Sequence, residues 1–166
     1  MTEPAPGRDV TARINGNEVS RHVPLRQTLA LFLRDDLGLT GTKISCGLQV
    51  CGVCSVLVDG QPVSACTYLA VDIDGRTVET VEGLADGDTM HPLQRAFVAR
   101  FALQCGFCTP GFLMMSKSLL ARNADPSEDE IREYLDGNIC RCTGYRPIVD
   151  AVQDAARELR ETSAHG

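Results

Sequence analysis

The stretch CGLQVCGVC, Cys46 to Cys54, sets three thiols within nine residues and spaces them with glycines and small apolar side chains. Cys66 follows after eleven more residues, so the set reads C-x4-C-x2-C-x11-C. A second set comes later: Cys105 and Cys108 as C-x2-C, then, after 31 residues, Cys140 and Cys142 as C-x-C. The eight cysteines thus divide into two quartets with none left over. This is a ligand pattern before it is a packing pattern, because cysteines buried as small hydrophobes have no reason to crowd three onto one Gly-rich loop.

The rest of the chain decides which chemistry is admissible. With 166 residues, 43% of them hydrophobic, it can build one medium domain or two small ones with real cores. A formal net charge of -6 excludes the basic face of a general nucleic-acid binder. The N-terminal MTEPAPGRDV lacks the apolar core of a signal peptide, and no apolar run is long enough for a membrane span. A cytoplasmic protein is therefore expected. Thiols are kept reduced there, which disfavours a disulfide framework and makes metal ligation the better default.

Hydrophobic periodicity separates the quartets into two differently built halves. From Val10 to about Val81 the signals are strand and turn: TARIN, a turn at Asn15-Gly16, a short strand to Val23, and SVLVDGQPVSAC with a hairpin turn at Asp59-Gly60. One helix interrupts them, LALFLRDDL, with Thr28 as N-cap and Gly38 at its C-terminal left-handed position. After a polar Gly/Asp stretch the period lengthens to that of helices. Leu93, Phe97 and Phe101 line a helix opened by Pro92; Phe112, Met115 and Leu119 line a second. Ser127 with Glu130 forms a capping box for a third, ended by Gly137. Pro147 opens a fourth, with Ile148, Val152, Ala155 and Leu159 on one side. The expected organisation is 8–82 for a sheet domain, 83–89 for a linker and 90–162 for a small bundle. Tails through about Asp9 and from about Thr162 are expected to be mobile.

The spacing C-x4-C-x2-C with a distant fourth cysteine is that of plant-type iron–sulfur sites. A 2Fe-2S cluster carries negative charge in a partly dry site and needs backbone N–H groups turned toward its sulfurs, which Gly47 and Gly52 let the loop supply. The rival is zinc, in a structural interaction module with two four-thiolate sites. Zinc knuckles usually come as two short pairs, which a crowded triplet with a lone fourth ligand matches poorly. The second quartet alone leaves zinc, a redox dithiol and a cluster open. Beside the first site, a second cluster is favoured.

The segments CGLQVCGVC, QCGFCTPGF (104–112) and NICRCTGYRP (138–147) together resemble the small iron–sulfur subunit of the molybdenum hydroxylases, the xanthine oxidase and aerobic carbon monoxide dehydrogenase family. The resemblance spans residues 8–160. It implies an α+β fold, with an N-terminal plant-ferredoxin-like (β-grasp) domain followed by a C-terminal four-helix-bundle domain, each with a 2Fe-2S cluster. Metal ligands would be Cys46, Cys51, Cys54 and Cys66 in one domain and Cys105, Cys108, Cys140 and Cys142 in the other. The implied role is a non-catalytic electron-transfer subunit. Electrons would come from a molybdopterin, of cytosine dinucleotide type, on a large subunit and pass to FAD on a medium subunit or to another acceptor, the assembly being a dimer of heterotrimers. Gln104 and Cys142 would lie near the pterin, although Gln104 also has a plain reading as a helix-end residue bonding a free carbonyl. The cluster-bearing ends of the chain would be covered by partners.

What the chain lacks is consistent with that division of labour: it has no dinucleotide fingerprint, no Walker loop and no His/Glu cluster. His22, His91 and His165 lie outside both thiol motifs and read as surface or capping residues, and Met114 and Met115 read as bundle core. Two positions depart from the family pattern, Ser45 in place of a usual Gly and Gln49 in place of a small residue. A larger side chain there is expected to stiffen or reroute the first ligand loop.

Overall fold

The structure, a computed structural model, describes residues 6–164. Its first half is a five-stranded sheet in the order β2-β1-β5-β3-β4. Strand β1 (Gly7–Ile14) pairs antiparallel with β2 (Asn17–Pro24), and β3 (Ser55–Val58) pairs antiparallel with β4 (Gln61–Ser64). Both hairpins close on two residues with positive φ, Asn15-Gly16 at 48° and 83° and Asp59-Gly60 at 49° and 74°. Such turns match strand twist and fix the registers Ile14↔Asn17 and Val58↔Gln61. The short β5 (Thr77–Glu79) joins the hairpins, parallel to β1 and antiparallel to β3.

Alternation along β1 sends Val10, Ala12 and Ile14 into the sheet core, where they meet Leu29, Phe32 and Leu33 of the covering helix. That helix starts at Thr28, whose hydroxyl accepts from Leu31 N at 3.4 Å. It is α-helical only over α1 (Leu29–Leu31) and widens into a π turn over Phe32–Asp36, ending where Gly38 takes φ 70°. A regular helix was expected across LALFLRDDL. The widened turn still keeps Leu29, Phe32 and Leu33 facing the sheet.

The second half is helical: α2 (Pro92–Ala99), α3 (Thr109–Arg122), α4 (Glu128–Leu135) and α5 (Arg146–Ala164). Leu93, Phe97, Phe112, Leu119, Ile131 and Ile148 form its core. The Ser127–Glu130 capping box is present, and α2 has another in which His91 Nδ1 accepts from Leu93 N at 3.2 Å while Gln94 Oε1 accepts from His91 N at 2.8 Å. Phe101 departs from expectation. Helix α2 ends at Ala99, Phe101 turns to φ 52°, and its ring is 81% exposed instead of continuing the Leu93–Phe97 stripe. Asp9 and its neighbours Gly7 and Arg8 also differ, being held in β1 instead of a mobile tail. Helix α5 runs through Thr162 to Ala164; the outermost tail residues, 1–5 and 165–166, lie outside the described residues.

The sheet and the bundle pack directly on each other. Helix α3 lies against β3 and β4, so β3 is buried along its whole length. The stretch read as a linker, 83–89, contributes Leu84 to the helical core, and Lys117 of α3 pairs with Glu79 of β5.

Candidate functional site

In the sheet half the ligand loop runs from the π turn to β3 and curls through Gly47, Gln49 and Gly52, all with φ between 60° and 66°. The curl aims Leu48 N and Val50 N at Cys46 Sγ, each at 3.4 Å. Those donors, with further help from Cys51, hold the Cys46 thiol down at about 6. Cys54 is buried at the start of β3, and burial pushes its thiol up to about 12, with Cys66 as its bonded partner. Cys46 is thus influenced chiefly within its own loop, by Cys51 among others, whereas Cys54 is influenced by Cys66 and, more weakly, by the Cys51 charge.

The helical half brings its thiols together by topology. Cys105 and Cys108 occupy the loop from α2 to α3, Cys140 and Cys142 the loop from α4 to α5, and the bundle sets both loops at one end. Cys142 Sγ lies 3.6 Å from Cys105 Sγ, and Cys108 bonds Cys140. Burial lifts the Cys108 thiol to about 12. Burial also pushes Cys140 up, but the Thr143 hydroxyl at 3.1 Å and the Thr143 N–H at 3.5 Å, with Cys142 and Cys108, outweigh it and hold that thiol below its ordinary value. Tyr145 stacks edge-on against Phe112, and its hydroxyl accepts from Cys140 N at 3.0 Å, which fixes one ligand loop against the helix that follows the other. Gln104 Nε2 donates to the Cys142 carbonyl at 3.0 Å, a second tie between the loops; both residues lie in loops, so this is not the helix-end bond of its plain reading.

The donor chemistry fits a two-iron group. All eight cysteines are free thiols, and two thiols per iron is the arrangement that four thiols per site can supply. Among the described residues, no three His, Cys, Asp or Glu side chains are gathered around one point for a single metal ion.

The two ligand sets, expected at separate ends of the chain, face each other. A cavity of about 210 Å³ is lined by Cys51 of the first set together with Cys105, Cys108 and Cys142 of the second. Ile139 N, next to Cys140, donates to the Cys51 carbonyl at 2.9 Å, and buried Asn138 donates from Nδ2 to the Gly52 carbonyl at 3.0 Å. A Cβ on Gly111 would lie only 2.4 Å from that same carbonyl oxygen. Asn138 and Ile139 escaped sequence reasoning because neither belongs to a local pattern, although both sit directly before Cys140. Ser45 lines the shared cavity and Gln49 curls with the loop. His91 is the cap described above, His22 is exposed and bonds Asp9 at 3.0 Å, and His165 lies outside the described residues. Met114 is core and Met115 packs against it, half-buried.

Known proteins resemble the chain in sequence and fold. Residues 12–85 match the family of 2Fe-2S iron-sulfur cluster binding domains, and residues 80–153 match that of [2Fe-2S] binding domains. The chain is 48% identical to the nicotine 6-hydroxylase small subunit of Paenarthrobacter nicotinovorans over 161 residues, 96% of this chain and 97% of that one. It is 47% identical over 146 residues to the aldehyde oxidoreductase of Megalodesulfovibrio gigas, which covers 86% of this chain but only 16% of that longer one. The solved structure of quinoline 2-oxidoreductase from Pseudomonas putida 86 superimposes with a TM-score of 0.90 at 48% identity, covering 93% of this chain and 97% of its counterpart.

Proposed function

The chain belongs to the small iron–sulfur subunits of the molybdenum hydroxylases, and from that premise we propose that each of its thiol quartets holds one 2Fe-2S cluster: Cys46, Cys51, Cys54 and Cys66 in the sheet half, and Cys105, Cys108, Cys140 and Cys142 in the helical half. The protein is an electron-transfer subunit of an oxidoreductase complex and carries no substrate chemistry of its own. Each cluster, when bound, accepts and releases one electron. The chain's own residues supply the rest. The N–H groups of Leu48, Val50 and Thr143 point at ligand sulfurs and stabilise the negative charge a reduced site gains.

The observation that carries the relay is the hydrogen bond from Ile139 N to the Cys51 carbonyl. It ties a ligand of the first set to the neighbour of a ligand of the second, so the sites are held at a fixed short separation. Apolar side chains stand exposed outside each site, Leu48 and Val50 at the first, Phe101 and Phe107 at the second. They are the surfaces on which partner subunits would dock. We assign the helical site to the large molybdopterin subunit, of cytosine dinucleotide type, with Gln104 and Cys142 nearest the pterin, and the sheet site to the medium FAD subunit, in a dimer of heterotrimers. Gln104 and Cys142 are already bonded, so they would meet the pterin as a unit. In the aldehyde oxidoreductase the matching region is part of a longer chain, which supports tight docking of this one. The relatives are named for nicotine, caffeine and aldehydes, so the substrate is a property of the partner and not of this chain. Among the described residues no helix is long and apolar enough to cross a membrane, and we place the complex in the cytoplasm.

Iron and sulfide analysis with electron paramagnetic resonance tests the assignment. The loaded chain should be brown, hold two iron and two sulfide per domain, and give two reduced signals. Cys51→Ala should remove the sheet-site signal and leave the other. A colourless, zinc-loaded chain, or loss of both signals in a folded Cys51→Ala protein, would overturn it.

A further inference from the structure

Gln49 stands in the left-handed region at φ 60°, where a side chain bears backbone strain, and yet it is not a glycine. Its exposed side chain reaches to the segment that follows Cys66. The Thr67 hydroxyl donates to Gln49 Oε1 at 3.1 Å, shorter than its alternative contact with the Ser64 carbonyl at 3.3 Å, and Thr67 directly follows Cys66. The tie therefore runs from the loop carrying Cys46 and Cys51 to the segment carrying the fourth thiol. Apolar burial does not hold the tip of this loop, because Leu48 and Val50 on either side of Gln49 are 74% and 61% exposed. Those two residues supply the N–H groups aimed at Cys46 Sγ.

We propose that Gln49 is a positioning residue whose hydrogen bond with Thr67 holds the Leu48 and Val50 N–H groups on the Cys46 sulfur and so sets the reduction potential of the sheet-half site. The proposal rests on the two-cluster reading above. N–H donors favour the reduced form, which carries one more negative charge, so releasing the loop makes reduction harder. Added water would act the other way, but this side of the site is already open to solvent, so the loss of aligned donors decides the sign.

The test is a redox titration of the intact complex followed by electron paramagnetic resonance. Thr67→Val removes the hydroxyl at constant shape, Gln49→Gly removes the side chain and its strain, and Thr67→Ser keeps the bond. The first two should lower the potential of the sheet-site signal by a factor of about three to ten in the one-electron equilibrium, ~30–60 mV. Their double variant should shift no further than either alone, and Thr67→Ser should behave as the parent. The helical-site potential should not move. An unchanged sheet-site potential in Thr67→Val and Gln49→Gly with iron content intact overturns the positioning role while leaving the cluster reading standing; so does an equal shift at both sites. A parent complex with one signal or none overturns both.

Discussion

In the sheet half three thiols sit on one nine-residue loop, whereas in the helical half the two pairs are 31 residues apart and meet only because α3 and α4 run out and back. The first site is thus assembled by local backbone curvature, with Gly47, Gln49 and Gly52 all left-handed and the loop's own N–H groups on its own sulfur. The second is assembled by tertiary packing. Its loops are joined by Phe112 against Tyr145, by Tyr145 to Cys140 and by Gln104 to Cys142. The difference teaches where each site is vulnerable: the first to changes in its loop, the second to changes in the bundle core that touch no ligand.

The largest expected effect comes from Phe112→Ala. Phe112 is 1% exposed, lies four residues beyond Cys108, and its ring meets Tyr145 with centroids 6.3 Å apart. Emptying such a site costs about 3–5 kcal/mol. Paramagnetic spectra of the variant should show the helical-site signal weakened or lost while the sheet-site signal persists. Loss of both would mean that the sheet half depends on the bundle as much as the bundle does, and the contrast between local and tertiary assembly would fail.

A smaller effect, falling on the contact between the halves, is expected of Gly111→Ala. The new methyl would meet backbone, the Gly52 carbonyl oxygen at 2.4 Å and the Val53 oxygen at 3.0 Å, so a helix or a ligand loop must shift. Overpacking of this kind costs about 1–3 kcal/mol. Unlike Phe112→Ala, it should perturb both signals together and slow electron equilibration between the sites, which stopped-flow spectroscopy of the loaded complex can follow. If the denaturation midpoint and the equilibration rate are both unchanged, the halves are less tightly keyed than the geometry indicates.

The same contrast explains what could be read from the sequence. Features encoded within a few residues were legible: the turns at Asn15-Gly16 and Asp59-Gly60, the Thr28 cap, the Ser127–Glu130 capping box, and both thiol patterns. Strand β5 was not singled out, because three residues carry too little alternation and its partner β1 is more than sixty residues away. Phe101 matched the helical spacing, but spacing does not say where a helix ends, and α2 stops two residues earlier. The meeting of the sites through Ile139 and Asn138 has no local signature at all. Gln49 was legible as an anomaly, but its partner Thr67, eighteen residues on, was not.

In the cluster-loaded complex, where the thiols serve as ligands and do not titrate, the smallest expected effect is a pH dependence that belongs to the helical half alone. His91 caps α2 through an unprotonated Nδ1, which accepts from Leu93 N. Burial, then the cations of Lys117 on α3 and Arg95 on α2, hold its pKa below the ordinary value, with Glu158 on α5 opposing them. A lowered value in the folded state means that the unfolded chain binds the proton more readily. The stabilisation is therefore complete above about pH 6.5, the ordinary histidine value, and is lost as pH falls from there through the lowered value. Glu128, Glu130 and Asp154 do not obscure this window, because Arg132, Ser127 and Arg100 hold them below the usual carboxylate range. Between about pH 8 and pH 6 the helical half should lose part of a capping interaction worth about 1 kcal/mol. His91→Asn keeps a capping acceptor that does not titrate, so it should remove the slope and leave the helix intact. Amide hydrogen exchange read separately over the two halves can decide it: a slope of equal size in the sheet half, or one that survives in His91→Asn, would assign the pH dependence to some other group.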